Sequence, residues 1–125
     1  MGIFDSMFKP DNKPLWPGVT IQSKADLEGL LEKSFIRPQL IFKHSTRCSI
    51  SRYVLSDFIS HYSFSTDELE SHYLDLLNYR EISNQIADQL EVIHQSPQIL
   101  LIKNGKAVVY ASHEGITELQ LSIYL

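Results

Sequence analysis

The chain has 125 residues, 43% of them hydrophobic and 21% charged, with eleven Lys and Arg against fifteen Asp and Glu for a formal charge of −4. A chain of this length buries roughly two thirds of its unfolded surface, so one domain folds without a disulfide lattice or a structural metal. The acidic balance argues against a nucleic-acid partner, and with no apolar run near the roughly twenty residues of a membrane span and no signal-peptide pattern, the expectation is a soluble, cytoplasmic protein with no membrane association.

Residues 1–18 hold Pro10, Pro14 and Pro17 and no sustained periodicity, which reads as an extended N-terminal arm ahead of one domain over residues 19–125. The opening Met1-Gly2-Ile3-Phe4-Asp5-Ser6 matches the short myristoylation pattern, a frequent chance match, and no lipid anchor is expected. Residues 19–21 predict a short strand. Ser23 and Asp26 form a capping-box pattern ahead of Leu27, Leu30 and Leu31, which predicts a helix over residues 24–33. Pro38 closes the connection to Gln39-Leu40-Ile41-Phe42-Lys43, an apolar run of buried-strand length. From Ser49, the residues Ile50, Tyr53, Val54, Phe58 and Ile59 recur at helical spacing to about Tyr62, with the aromatic side chains directed to the core. Cys48 therefore stands where strand passes into helix.

A second capping-box pattern, Ser65 to Glu68, precedes Tyr73-Leu74-Asp75-Leu76-Leu77, read as the next strand. Ile82, Ile86 and Leu90 predict a helix over residues 81–90. Ser96-Pro97 leads into Ile99-Leu100-Leu101-Ile102, a strand covered on both faces, and Asn104-Gly105 signals a hairpin that returns residues 107–111 antiparallel. Residues 116–125 read as a closing helix with Leu119 and Ile123 inward. The order is βαβαβαββα. Right-handed crossovers make the first strands parallel and the Asn-Gly turn makes the last pair antiparallel, giving an α/β fold with a central mixed β-sheet flanked by helices.

Cys48 is the only cysteine, so a monomer contains no internal disulfide. In an apolar setting such a residue is a small hydrophobic filler. At the first turn of a helix it faces N–H groups without intrahelical partners, whose dipole favours a thiolate by about 1 kcal/mol. Direct N–H···S contacts from residues 49–51 and the neighbouring Arg47 would add to this. The thiolate is the species that attacks disulfides, so the position points to exchange chemistry.

The run Lys43-His44-Ser45-Thr46-Arg47-Cys48-Ser49-Ile50-Ser51, with His94-Gln95-Ser96-Pro97-Gln98, Ser112-His113 and the Asn104-Gly105 hairpin, resembles thioredoxin-fold oxidoreductases. More narrowly, it resembles the monothiol bacilliredoxins of the bacillithiol system (YtxJ-type proteins), from about Val19 to the C-terminus. The resemblance implies a thioredoxin-like fold and a cis bond before Pro97, which would face Cys48. Thioredoxins carry a second cysteine where this chain has Ser51. Without that resolving thiol, Cys48 would attack a mixed disulfide between a client protein and a small thiol, release the client, and await a second small thiol or a reductase.

The implied catalytic residues are Cys48, as nucleophile, and Ser51, as hydrogen-bond donor to the thiolate. The implied substrate contacts are Arg47 to the carboxylates of a small thiol such as bacillithiol, Ser96 and Pro97 to an extended client segment, and His113 beside them, with His94 flanking the same site. The expected partners are S-thiolated client proteins and the low-molecular-weight thiol, which serves as co-substrate, with no other cofactor. No metal is expected, because His44 and Cys48 supply only two ligands. Lys43 and Lys103 read as strand-end charges. One competing reading is a non-catalytic thioredoxin-fold module that binds proteins through the Ser96-Pro97 surface with Cys48 as a redox-sensitive anchor. Another is the iron–sulfur chemistry of monothiol glutaredoxins, from whose Cys-Gly-Phe-Ser motif this chain departs at Ser49 and Ile50.

Overall fold

The structure, a computed structural model, describes residues 16–125. The myristoylation pattern and the arm over residues 1–15 lie outside the described residues. Five strands, β1 (Val19–Thr20), β2 (Gln39–His44), β3 (Glu70–Asp75), β4 (Gln98–Lys103) and β5 (Lys106–Ser112), form one sheet in the order β1-β3-β2-β4-β5. β1 and β2 both run parallel to β3, and β4 runs antiparallel to β2 and to β5. The α/β class, the element order and the mixed sheet are those read from the sequence.

Helices α1 (Lys24–Lys33) and α3 (Arg80–Leu90) cover one face of the sheet, and α2 (Ser49–Ser60) and α4 (Gly115–Glu118) cover the other. The period-two alternation of strand side chains divides the core accordingly. Ile41, Leu74, Leu100 and Ile102 pack with Leu27, Leu30, Ile82 and Ile86, while Leu40, Phe42, Ile99 and Leu101 pack with Val54, Leu55 and Ile116. Each such side chain removed fully from water contributes about 1.5–3 kcal/mol. At the start of α1, Ser23 Oγ accepts from Asp26 N–H at 3.0 Å, while Asp26 Oδ2 accepts from Gln22 N–H at 2.9 Å. In the hairpin between β4 and β5, Asn104 and Gly105 take the positive φ values of 53° and 77° that a type I′ turn demands.

The fold departs from the sequence reading in four places. β3 begins at Glu70 and ends at Asp75, where residues 73–77 were expected. Asp75 ends it: Oδ1 accepts from Leu77 N–H at 3.2 Å and Oδ2 from Asn78 Nδ2 at 2.8 Å, which turns the chain out of the ladder. The closing helix is broken, because Leu119 is extended between α4 and a 3₁₀ turn over Leu121–Tyr124. That break moves Leu121 into the core and leaves Ile123 68% exposed. On α2, Ile50 and Tyr53 face solvent rather than the core. Finally Trp16, within the expected arm, packs 5.8 Å from Phe42, 6.0 Å from Phe58 and 5.8 Å from Tyr73 between ring centroids. Gly18 follows, where a Cβ would meet Ser71 O at 2.0 Å and hold the chain off β3.

Candidate functional site

Three adjacent strands bring the chemistry-bearing segments to one end of the sheet. Lys43 pairs with Gln98 across β2 and β4, and Gln98 pairs with Ser112 across β4 and β5. The chain leaving β2 therefore reaches Cys48, the chain entering β4 carries Ser96 and Pro97, and the chain leaving β5 begins with His113, all at the same end of the sheet. The Ser96-Pro97 peptide is cis, and Pro97 O accepts the His113 N–H at 2.9 Å, so the prolyl segment and His113 are joined directly.

Cys48 is the N-cap of α2 and is partly exposed. A turn fixes it: Cys48 N–H donates to Ser45 O at 3.2 Å and Cys48 O accepts from Arg52 N–H at 3.1 Å. The N–H···S contacts expected from residues 49–51 are not made, since Cys48 forms no side-chain capping hydrogen bond. It occupies the cap position through its backbone, and among the described residues no donor reaches the sulfur.

Ser51 also departs from expectation. It is buried, and its hydroxyl turns inward, hydrogen-bonded to His44 Nδ1 at 2.8 Å and accepting from Ser45 N–H at 3.1 Å. No hydrogen bond among the described residues joins it to the Cys48 sulfur. Ser51 thus ties α2 to the end of β2 and holds the turn on which Cys48 sits. Burial lowers His44 to a pKa of about 4, with Arg52 acting in the same direction and Asp75 against it, so the ring is neutral at ordinary pH. His44 is turned to Ser51, and among the described residues no three His, Cys, Asp or Glu side chains gather closely enough to hold a metal ion. Arg47 and His113 are exposed at the rim.

The opposite face of the sheet joins Lys43, read from the sequence as a strand-end charge, to His94. Lys43 is not a strand-end charge but is fully buried, and its Nζ donates to Ser83 O at 3.3 Å and to His94 Nδ1 at 3.3 Å. Ser83 Oγ lies 3.3 Å from the same ring nitrogen. Burial lowers the Lys43 pKa to about 8, and burial together with the positive charges of Lys43 and Arg80 lowers that of His94. Parity was the available signal, because Lys43 lies two residues after the inward-facing Ile41 in an unbroken apolar strand. Gln98, also buried, donates through Nε2 to Ile93 O at 3.0 Å, so the loop carrying His94 and Pro97 is held from both neighbouring strands. Lys103 does lie at a strand end and donates to Tyr124 O at 2.9 Å.

The sequence profile of the family described as monothiol bacilliredoxin BrxC matches residues 19–121. Among solved structures, one described as having a thioredoxin fold superimposes with a TM-score of 0.68 at 27% identity, covering 79% of this chain and 85% of its own. Thioredoxin of Fasciola hepatica matches with a TM-score of 0.65 at 22% identity over 86% of this chain and 96% of its own. The Malassezia sympodialis thioredoxin gives a TM-score of 0.64 at 18% identity over 89% and 91%. The topology shared with these proteins is the thioredoxin fold.

Proposed function

Because the chain belongs to the monothiol bacilliredoxin family, with a thiol-oxidoreductase-like function, we propose that it reduces mixed disulfides between client proteins and a low-molecular-weight thiol such as bacillithiol. The observation that carries this reading is the placement of a single, partly exposed cysteine at the start of α2, at the end of the sheet shared with the cis Ser96-Pro97 segment.

In the first step the Cys48 thiolate attacks the small-thiol sulfur of the client's mixed disulfide. The client–small-thiol S–S bond breaks, a Cys48–small-thiol S–S bond forms, and the client leaves as a thiolate that takes a proton from solvent. In the second step a further molecule of the small thiol attacks the Cys48 adduct, releasing the oxidised small-thiol disulfide and restoring the Cys48 thiolate. The small thiol supplies both reducing equivalents. Ser96, followed by Pro97, whose carbonyl is already taken by His113 N–H, offers its backbone to an extended client segment, the exposed Ile50 and Tyr53 offer apolar contact beside Cys48, and Arg47 and His113 receive the anionic groups of the small thiol.

The test is turnover of a peptide held in mixed disulfide with bacillithiol. Wild-type protein releases the free peptide and Cys48→Ser does not. Equal release by the two proteins would overturn the reading and leave a binding module.

A further inference from the structure

A buried ammonium group without a carboxylate is costly, because its desolvation is not offset by a counter-charge. Lys43 is in this position: among the described residues no acidic group lies within ion-pair distance of Nζ, and the side chain stands on the face where Ile41, Leu100 and Ile102 are apolar. Packing alone is served better by methionine there. Among the described residues the donors of Lys43 go to two places, the backbone of α3 at Ser83 and the Nδ1 atom of His94.

An ammonium group donates and never accepts. His94 Nδ1 must therefore be the acceptor, with Ser83 Oγ sharing it, and the ring proton must sit on Nε2. His94 is half-buried and stands two residues before Ser96, and its Nε2 has no partner among the described residues. The charged groups acting on it, Lys43 from β2 and Arg80 from α3, are both cations, and β4 contributes the uncharged Gln98 to the same loop. Both cations oppose protonation of the ring.

We propose that Lys43 is a positioning residue of the exchange site: by occupying Nδ1 from inside, it fixes His94 as a neutral ring whose Nε2–H is a hydrogen-bond donor offered beside the prolyl segment to an acceptor atom of the thiolated substrate. Ser83 supports the same arrangement. This role rests on the exchange reading above. It adds that the donor which orients the substrate is set from the opposite face of the sheet.

The test combines histidine ring ¹⁵N NMR with exchange kinetics on the peptide–bacillithiol mixed disulfide, using wild type, Lys43→Met, His94→Ala and the double variant. In the wild type at neutral pH the His94 ring shows an unprotonated Nδ1 and a protonated Nε2. Lys43→Met folds with an equal or higher melting temperature, yet exchanges about fivefold more slowly, the worth of one neutral hydrogen bond. The acid limb of its pH profile moves to higher pH, because a cation next to His94 is gone. His94→Ala shows the same loss, and adding Lys43→Met to it causes no further loss, because the lysine acts through the ring. Lys43→Arg, which keeps the charge, restores part of the rate.

An unchanged rate and pH profile in Lys43→Met, or an unchanged rate in a folded His94→Ala, would overturn this role while leaving the exchange reading intact. Absence of exchange in the wild type would overturn the exchange reading and this role with it.

Discussion

Ser51 Oγ lies 2.8 Å from His44 Nδ1, both side chains buried, and this contact fastens the first turn of α2 to the last residue of β2. Ser51→Ala would leave the His44 nitrogen and the Ser45 N–H unpaired. The expected cost is about 1–3 kcal/mol in urea unfolding. A variant as stable as wild type would show that the bond contributes nothing to holding the Cys48 turn.

Two buried rings contribute to acid stability. Burial lowers both His44 and His72 to pKa values of about 4, the latter with its Nε2 2.8 Å from Gln39 Oε1. Between pH 6.5 and 4 the unfolded chain binds more protons at these sites than the folded one. Stability therefore rises with pH across that window and is lost as pH falls through it, by an amount on the order of a few kcal/mol for the two rings together. Urea midpoints measured at pH 7, 5.5 and 4.5 check this, with His72→Gln flattening the dependence. A flat wild-type profile would contradict it.

Lys43 acts in the alkaline range. With its folded pKa lowered from 10.5 to about 8, the unfolded chain binds more protons there between those values, so this residue makes stability rise with pH from 8 towards 10. The difference between wild type and Lys43→Met isolates the effect from other groups. The variant's advantage at neutral pH shrinks as pH increases, whereas a constant advantage would mean that Lys43 does not titrate in that window.

Trp16 is the only tryptophan and stacks on Phe58 beside Phe42 and Tyr73, so its fluorescence reports on the α2 side of the core. Trp16→Ala is expected to cost about 2–4 kcal/mol, somewhat below a fully buried tryptophan because the ring is half-exposed. A variant within 0.5 kcal/mol of wild type, a margin of about the size typical of surface changes, would detach Trp16 from the core.

Much of the fold was legible because most strands and helices announce their period. The capping pair Ser23 and Asp26, the apolar run before Lys43 and the Asn104-Gly105 turn placed their elements almost to the residue. What misled were local signals overridden by partners remote in sequence. The polar start of β3 pairs with β2, where Glu70 meets Arg37 at 2.8 Å and His72 meets Gln39, contacts with no local signature. Helical periodicity gives a face but not its neighbour, so Ile50 and Tyr53 read as core although no element among the described residues covers them. Cys48 and Pro97 were visible as residue types at telling positions. The inward turn of Ser51 and the burial of Lys43 depend on what lies across the sheet.

Mass spectrometry of the protein isolated from its own cells under thiol-blocking conditions after oxidant stress reads the exchange chemistry at Cys48 itself. The expected result is a low-molecular-weight thiol in disulfide linkage on Cys48, whose mass names the co-substrate, and its loss on treatment with that thiol. Cys48 recovered unmodified after every stress, in protein that is otherwise folded, would contradict it.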